Sequence, residues 1–268
     1  MKSLKFWSPN EFEIASYKYS LKERVNQTYK TSGSDNVGLC EYTYNELGFR
    51  GDSIKKEGFK VMSLGCSNTE GLGVNYKDTW PTQFTNLIPN SVNMNFGTAG
   101  RSNDFICRCL MSYYDLIKPD LVLIMYTFPF RREIYTEEGG IEPFIPTQAW
   151  GYMEETENGK RIQNYLAELQ NDNEDFVNWY KNHQLIRLFL ESKKCNWVWN
   201  GFSGIPIEYK EFNRFDGDYG NFQDRGADGA HPGPKHNKEY SVRLFDHIHK
   251  NFREYLPIDL GNYRKELI

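Results

Sequence analysis

Cysteine is scarce in this chain: 268 residues carry five, at Cys40, Cys66, Cys107, Cys109 and Cys195. An odd count without framework spacing excludes a small disulfide-stapled scaffold and leaves the thiols as small core residues. A basic excess is missing too. Lys and Arg number 32 against 36 Asp and Glu, a formal net charge of -4, which provides no electrostatic footprint for nucleic acid. Long hydrophobic runs are also absent. The longest, Leu121–Tyr126, falls far below the roughly 20 residues that cross a bilayer as a helix, and the opening stretch "MKSLKFWSPNEFEIASYK" lacks the apolar core of a secretory signal. These absences predict a soluble, cytoplasmic protein with no membrane span and no nucleic-acid partner. They leave the oligomeric state open.

What is present is globular: 39% hydrophobic and 16% aromatic residues in a chain long enough for a full core. From residue 60 onward, strand-like and helix-like segments alternate. Val61–Leu64, "SVNMNF" at 91–96, "DLVLIMYT" at 120–127 and "CNWVWNG" at 195–201 read as strands. Thr79–Leu87 reads as a helix capped by Asp78 or Thr79, with Pro81 in its first turn. After Ser102, residues Phe105, Ile106, Cys109, Leu110, Tyr113, Leu116 and Ile117 recur at helical spacing. Tyr165, Leu166 and Leu169, then Phe176–Leu190, then Tyr240–Ile248 give further helical segments. Continuous apolar strands alternating with helices predict an α/β fold, a parallel central sheet covered on both faces. Ligands of such sheets bind at the carboxyl ends of the strands.

The chain divides into an N-terminal extension (1–44), a domain over 45–255 interrupted by a polar insertion at about 131–160, and a C-terminal tail (256–268). Three small-residue segments fall at strand ends or just before the last helix: "GCSNTEGLG" at 65–73, "NFGTAG" at 95–100 and "DGAHPG" at 228–233. Taken singly, each has an ordinary explanation. Ser67 is a turn residue, Asp228 caps a helix, and Asn95 and Gly97 shape a turn.

In this order the three segments resemble the SGNH or GDSL-like hydrolases, a family of esterases and lipases. Gly65-Cys66-Ser67 stands for the usual Gly-Asp-Ser, Asn95–Gly100 for Asn-x-Gly-x-x-Gly, and Asp228–His231 for Asp-x-x-His. "NELGFRGD" at 45–52 and "GLGVNYKDTWP" at 71–81 look like the flanks of the first block. The resemblance covers roughly residues 45–250 and implies a flavodoxin-like three-layer α/β/α sandwich, the SGNH hydrolase fold. It implies Ser67 as nucleophile, His231 as base, Asp228 as the carboxylate that orients it, and the N–H groups of Ser67 and Gly100 as oxyanion donors. The chemistry fits the residue types. A serine hydroxyl attacks well only as a base takes its proton, and imidazole, with an ordinary pKa of about 6.5, suits that role near neutrality.

Two departures from the family pattern stand out. Cys66 replaces the usual Asp. The family's third oxyanion donor is an Asn after the third strand, where this chain has "YTFPFRRE" with Pro129 at the corresponding place, and proline has no N–H. Asn103, Thr127 and Arg131 are the candidate substitutes. Phe128 and Phe130, with the insertion, are candidates to shape a substrate pocket. The implied function is hydrolysis of a small acyl ester, such as an O-acetyl group on a carbohydrate, with a small molecule or glycan as partner. An O-acyltransferase using the same serine and a non-catalytic glycan-binding or structural protein are the alternatives.

No cofactor and no metal are expected. His247 and His249, like Cys107 and Cys109, are two apart on helical segments and point in different directions. Asp216, Asp218 and Asp224 lack the glycine placement of an EF-hand. The Trp-rich segments, Trp150, Trp179, Trp197 and Trp199, read mainly as core.

Overall fold

The structure is a computed structural model that describes residues 24–31, 40–135, 141–144, 160, 164, 165, 168, 170–201, 213–217 and 219–257. In chain order the main elements are β1 (Thr28–Thr31), β2 (Cys40–Thr43), β3 (Phe59–Leu64), α1 (Ser67–Glu70), α2 (Trp80–Thr85), β4 (Ser91–Asn95), α3 (Asn103–Ile117) and β5 (Leu121–Tyr126). They continue with β6 (Arg132–Tyr135), β7 (Ile141–Phe144), α4 (Asp172–Ser192), β8 (Asn196–Gly201) and α5 (Pro234–Asn251).

Strands β4, β3, β5 and β8 lie side by side in that order, all parallel. Every residue of β5 is buried, which is why it reads as an unbroken apolar run: helices cover both faces. On one face Met62, Leu64, Val122, Ile124 and Tyr126 pack with Phe105, Leu110, Trp179 and Ile186 of α3 and α4. On the other, Val61, Leu121, Leu123 and Met125 pack with Trp80 and Phe84 of α2 and with Leu244 and Ile248 of α5. The edge beyond β8 is continued by a short parallel bridge between Trp199 and Arg214, with Phe215 N–H donating to Trp199 O at 2.8 Å. The resulting order, 2-1-3-4 with a rudimentary fifth strand, is that of a flavodoxin-like α/β/α sandwich.

Local chemistry sets the boundaries. Thr79 Oγ1 accepts the Thr82 N–H and Pro81 sits in the first turn of α2. Ser102 Oγ accepts the Phe105 N–H to start α3, and Lys118 in a left-handed conformation ends it. α4 begins at Asp172, four residues before its expected start, because Asn171 caps it at the Glu174 N–H, 3.1 Å away. Its first turn, rich in Asp and Glu, favours the positive end of the helix dipole.

The described part of the insertion is an antiparallel hairpin, β6 with β7. It is tied to α3 by the ion pair Arg108–Glu133, whose side chains are both almost fully buried. The described part of the N-terminal segment is a second hairpin, β1 with β2. Leu256, just inside the expected tail, is buried with the α5 core. Trp150, Leu166, Leu169 and Asp218 lie outside the described residues. Among the described residues no helix is long and apolar enough to cross a membrane.

Candidate active site

The chain leaves β3 through Gly65 and turns at once into the single turn of α1, whose first residue is Ser67. The turn is tight: Glu70 N–H donates to Cys66 O at 2.9 Å and Gly71 N–H to Ser67 O at 2.9 Å. Ser67 is half-buried, and its hydroxyl donates weakly to the Cys66 thiol, 3.9 Å away. Cys66 itself is packed inside. Burial pushes the thiols of Cys40, Cys107, Cys109 and Cys195 above their ordinary range, Cys107 up to about 12, so these four are packing residues.

The second block is stitched to the first. Asn95 Nδ2 donates to Thr69 O at 2.8 Å, while its Oδ1 accepts the Gly97 N–H at 2.8 Å. Thr98 N–H donates to Gly65 O at 3.2 Å. Gly97 is required by contact, since a Cβ there would lie 2.3 Å from the Glu70 nitrogen. Asn95 and Gly97 are thus structural, and their work brings Gly100 to the same strand edge as Ser67. Neither the Ser67 N–H nor the Gly100 N–H donates to a main-chain carbonyl among the described residues.

The third block forms its own turn. Asp228 Oδ2 lies 2.6 Å from His231 Nδ1. Its Oδ1 accepts the Ala230 N–H and the His231 N–H, both at 3.0 Å. Burial raises the Asp228 pKa, but those backbone donors and the imidazole outweigh it and hold the carboxyl below its ordinary range. The cap of α5 is a different residue: Asp224 accepts the N–H groups of Lys235 at 2.9 Å and His236 at 2.8 Å. Asp228 is therefore left to orient the imidazole, with Nδ1 facing the carboxylate and Nε2 available on the other side.

The Asp228–His231 turn rests on the loop that leaves the Ser67 helix. Ala227 N–H donates to Gly73 O at 2.6 Å. Gly73 has φ of +79°, and a Cβ on it would meet Asp228 Oδ1 at 2.7 Å, so this position admits only glycine. The two turns share one rim of the sheet. Within that rim the Ser67 hydroxyl bonds Cys66 and the His231 ring bonds Asp228, with no hydrogen bond between Ser67 and His231.

Residues that sequence reasoning did not single out hold this rim together. Arg50 is fully buried; its Nη1 donates to Gly71 O at 2.5 Å and its Nη2 to Val74 O at 2.7 Å and Glu41 O at 3.0 Å. The guanidinium also stacks on Tyr42, 4.1 Å from the ring centre, and the Tyr42 hydroxyl accepts the Gly73 N–H at 2.7 Å. The signal available in the sequence was the flank "NELGFRGD", which contains Arg50.

Of the three candidate donors, Asn103 and Thr127 hold each other. Asn103 Nδ2 donates to Thr127 O at 3.2 Å and Thr127 N–H donates back to Asn103 Oδ1 at 3.0 Å, with both residues fully buried. Arg131 is half-buried, donates through Nη1 to Thr127 Oγ1 at 3.0 Å and leaves its Nε without a partner. Phe128 and Phe130 stack with ring centres 5.0 Å apart, and Arg131 lies over Phe128 at 5.0 Å. Among the described residues no three His, Cys, Asp or Glu side chains converge as a metal site.

No protein-family model and no curated protein matches the sequence. Solved structures do match it. The chain is similar to a carbohydrate acetylesterase family member from Sinorhizobium meliloti, at 12% identity and a TM-score of 0.34, covering 72% of this chain and 99% of that one. It is similar to a member of the lipolytic protein G-D-S-L family from Veillonella parvula, at 14% identity and a TM-score of 0.31, covering 70% of this chain and 96% of that one. It is also similar to a gut microbial diltiazem-metabolizing enzyme, at 16% identity and a TM-score of 0.32, covering 75% of this chain but only 36% of that one. Likeness at this level leaves the chemistry to be read from the chain's own residues.

Proposed function

We propose that the protein is a serine ester hydrolase of the SGNH or GDSL-like kind. The observation that carries this reading is the Asp228–His231 pair at 2.6 Å, seated on the Gly71–Gly73 loop that leaves the Ser67 helix. In the proposed cycle Ser67 Oγ attacks the ester carbonyl while His231 Nε2 takes the hydroxyl proton. Asp228 keeps the imidazole oriented and balances its charge. The tetrahedral oxyanion is held by the N–H groups of Ser67 and Gly100. Collapse breaks the ester C–O bond, and His231 returns the proton to the leaving alcohol. Water then repeats the attack on the acyl-serine and frees the acid.

Catalytic hydrogen bonds are often long in an empty site and tighten on the substrate. The cycle asks the Ser67 side chain to turn from Cys66 toward the imidazole. Arg131 is the third oxyanion donor in this reading, because its Nε has no hydrogen-bond partner, whereas Asn103 and Thr127 are fully buried and bonded to each other. Phe128 and Phe130 supply an apolar wall for a small acyl group or a sugar ring, in line with an O-acetylated carbohydrate as substrate.

Labelling with a serine-directed phosphonate tests the nucleophile without assuming a substrate. Labelling at Ser67 that vanishes in Ser67→Ala, together with hydrolysis of p-nitrophenyl acetate, is expected. An unlabelled protein without esterase activity would leave the scaffold as a binding or structural module. Product formation much faster with an added acceptor sugar would identify acyl transfer instead.

A further inference from the structure

Glu70 takes no part in the proposed cycle, yet it is one of the most thoroughly enclosed carboxylates in the molecule, 1% exposed at the end of α1. It stands three residues after Ser67 in the same short helix. Its two oxygens reach in different directions. Oε1 accepts from Arg24 Nη1 at 3.0 Å and from the Tyr44 hydroxyl at 2.9 Å. Oε2 accepts the Ala99 N–H at 2.6 Å. Burial, then the neighbouring Glu70 charge, pushes the Tyr44 hydroxyl far above its ordinary range, so it remains a donor. A buried carboxylate is tolerated only when such charge-assisted partners surround it.

Ala99 is the residue before Gly100, and Gly100 is turned into the left-handed region at φ of +70°. Fixing the Ala99 N–H therefore restrains the residue whose far end leads into the Gly100 N–H. Because Glu70 belongs to the Ser67 helix, the same carboxylate fixes the spacing between the nucleophile turn and the donor turn. Arg24 and Tyr44 in turn hold Glu70, and both come from the N-terminal segment.

We propose that Glu70 is a positioning residue that registers the Gly100 N–H against Ser67, and that Arg24 and Tyr44 make the N-terminal segment a working part of the site. This rests on the reading of Ser67 and Gly100 given above. An oxyanion donor bonds the transition state more strongly than the ground state. Misplacing it lowers kcat and leaves KM nearly as it was.

The test is Glu70→Gln, which keeps the shape and removes the charge. Its amide presents an acceptor to one side only, so it sets a donor against either Ala99 or Arg24 and Tyr44. For a folded Glu70→Gln protein with Ser67 still labelled by phosphonate, kcat on p-nitrophenyl acetate is expected to fall about tenfold or more, with KM within about twofold and faster hydrogen exchange at the Ala99 amide, whose acceptor is Glu70. Wild-type kcat in that variant, or a raised KM with kcat unchanged, overturns the role. If Glu70→Gln does not fold, Tyr44→Phe replaces it, with a smaller, severalfold loss of kcat expected and an unchanged kcat overturning the role. A wild-type protein that is neither labelled nor active overturns the inference together with the reading beneath it. That result is distinct from an active wild type whose Glu70→Gln variant is equally active.

Discussion

His231 Nδ1 and Asp228 Oδ2 lie 2.6 Å apart on a single turn, with the other carboxylate oxygen bonded to two backbone N–H groups of the same turn. The carboxylate is thereby fixed in place before it meets the imidazole. Asp228→Asn keeps the size of the side chain but can set an N–H against Nδ1, favouring the wrong tautomer. Esterase activity is expected to fall by about 10³ to 10⁴ in kcat, read by steady-state kinetics, while phosphonate labelling of Ser67 slows in parallel. Near-normal activity would remove Asp228 from the mechanism.

The same pair has a stability consequence. Hydrogen bonds from His231 and Ala230 leave the folded-state pKa of Asp228 below its unfolded value. Its contribution is therefore complete above the unfolded carboxylate value of about 3.9 and is lost as pH falls through the lower, folded value. Denaturant midpoints of the wild type and Asp228→Asn should differ near neutrality and converge in acid below about pH 4. The Asp228 side chain is 34% exposed, so solvent screening keeps the difference small. A gap that widens in acid would contradict the assignment.

The parallel sheet was legible because strands covered on both faces carry no alternation: "LVLIMY" could hardly be anything else. The turns of the three candidate blocks were legible because sharp turns need small residues, and the order of those turns is written along the chain. The hairpin of Arg132–Tyr135 and Ile141–Phe144 was not, since strands with Arg, Glu and Pro among their few residues show no clear period. Glu70, Arg24 and Tyr44 were missed for a deeper reason. Whether one among 36 acidic residues is buried depends on partners far away in sequence, here Arg24 and Tyr44, and no local pattern announces them. The start of α4 was misjudged because Val177, Leu185 and Leu188 are exposed apolar residues that blur the helical stripe.

Arg50 gives a prediction for the support of the nucleophile loop. Four backbone carbonyls, those of Glu41, Glu70, Gly71 and Val74, accept from one buried guanidinium. A lysine has no planar fork to serve them together. Arg50→Lys should lower stability by about 2 kcal/mol through the carbonyls left unsatisfied, measured by chemical denaturation. Arg50→Met should cost more, about 3 kcal/mol or above. An unchanged midpoint would mean that the loop holds its shape without the guanidinium.

Gly97 tests how closely the second block must approach the first. A methyl group placed there would sit 2.3 Å from the Glu70 nitrogen and 2.5 Å from the Thr69 carbonyl carbon, both main-chain atoms that cannot swing aside. Gly97→Ala must push the 95–100 turn away from α1. A loss of about 1–3 kcal/mol in stability is expected, together with a kcat deficit larger than that of a stability-matched variant elsewhere in the fold. Equal kcat in the two variants would detach this turn from the chemistry.

Arg131 tests whether, in the proposed reading, the proline at position 129 leaves the oxyanion one donor short. Thr127 and Asn103 bond each other just past the buried end of β5, whereas Arg131 keeps its Nε uncommitted and lays its guanidinium over the Phe128 ring. Arg131→Met keeps an unbranched apolar side chain beside Phe128 but removes every donor and the guanidinium that lies over the ring, so charge stabilisation is lost. A third donor predicts a fall in kcat of about 10² with little change in KM, and partial recovery in Arg131→Lys, which restores a charged donor in less exact geometry. If Arg131 instead grips the ground-state substrate, KM rises and kcat stays put. Wild-type values for both constants would show that the Ser67 and Gly100 N–H groups carry the oxyanion alone.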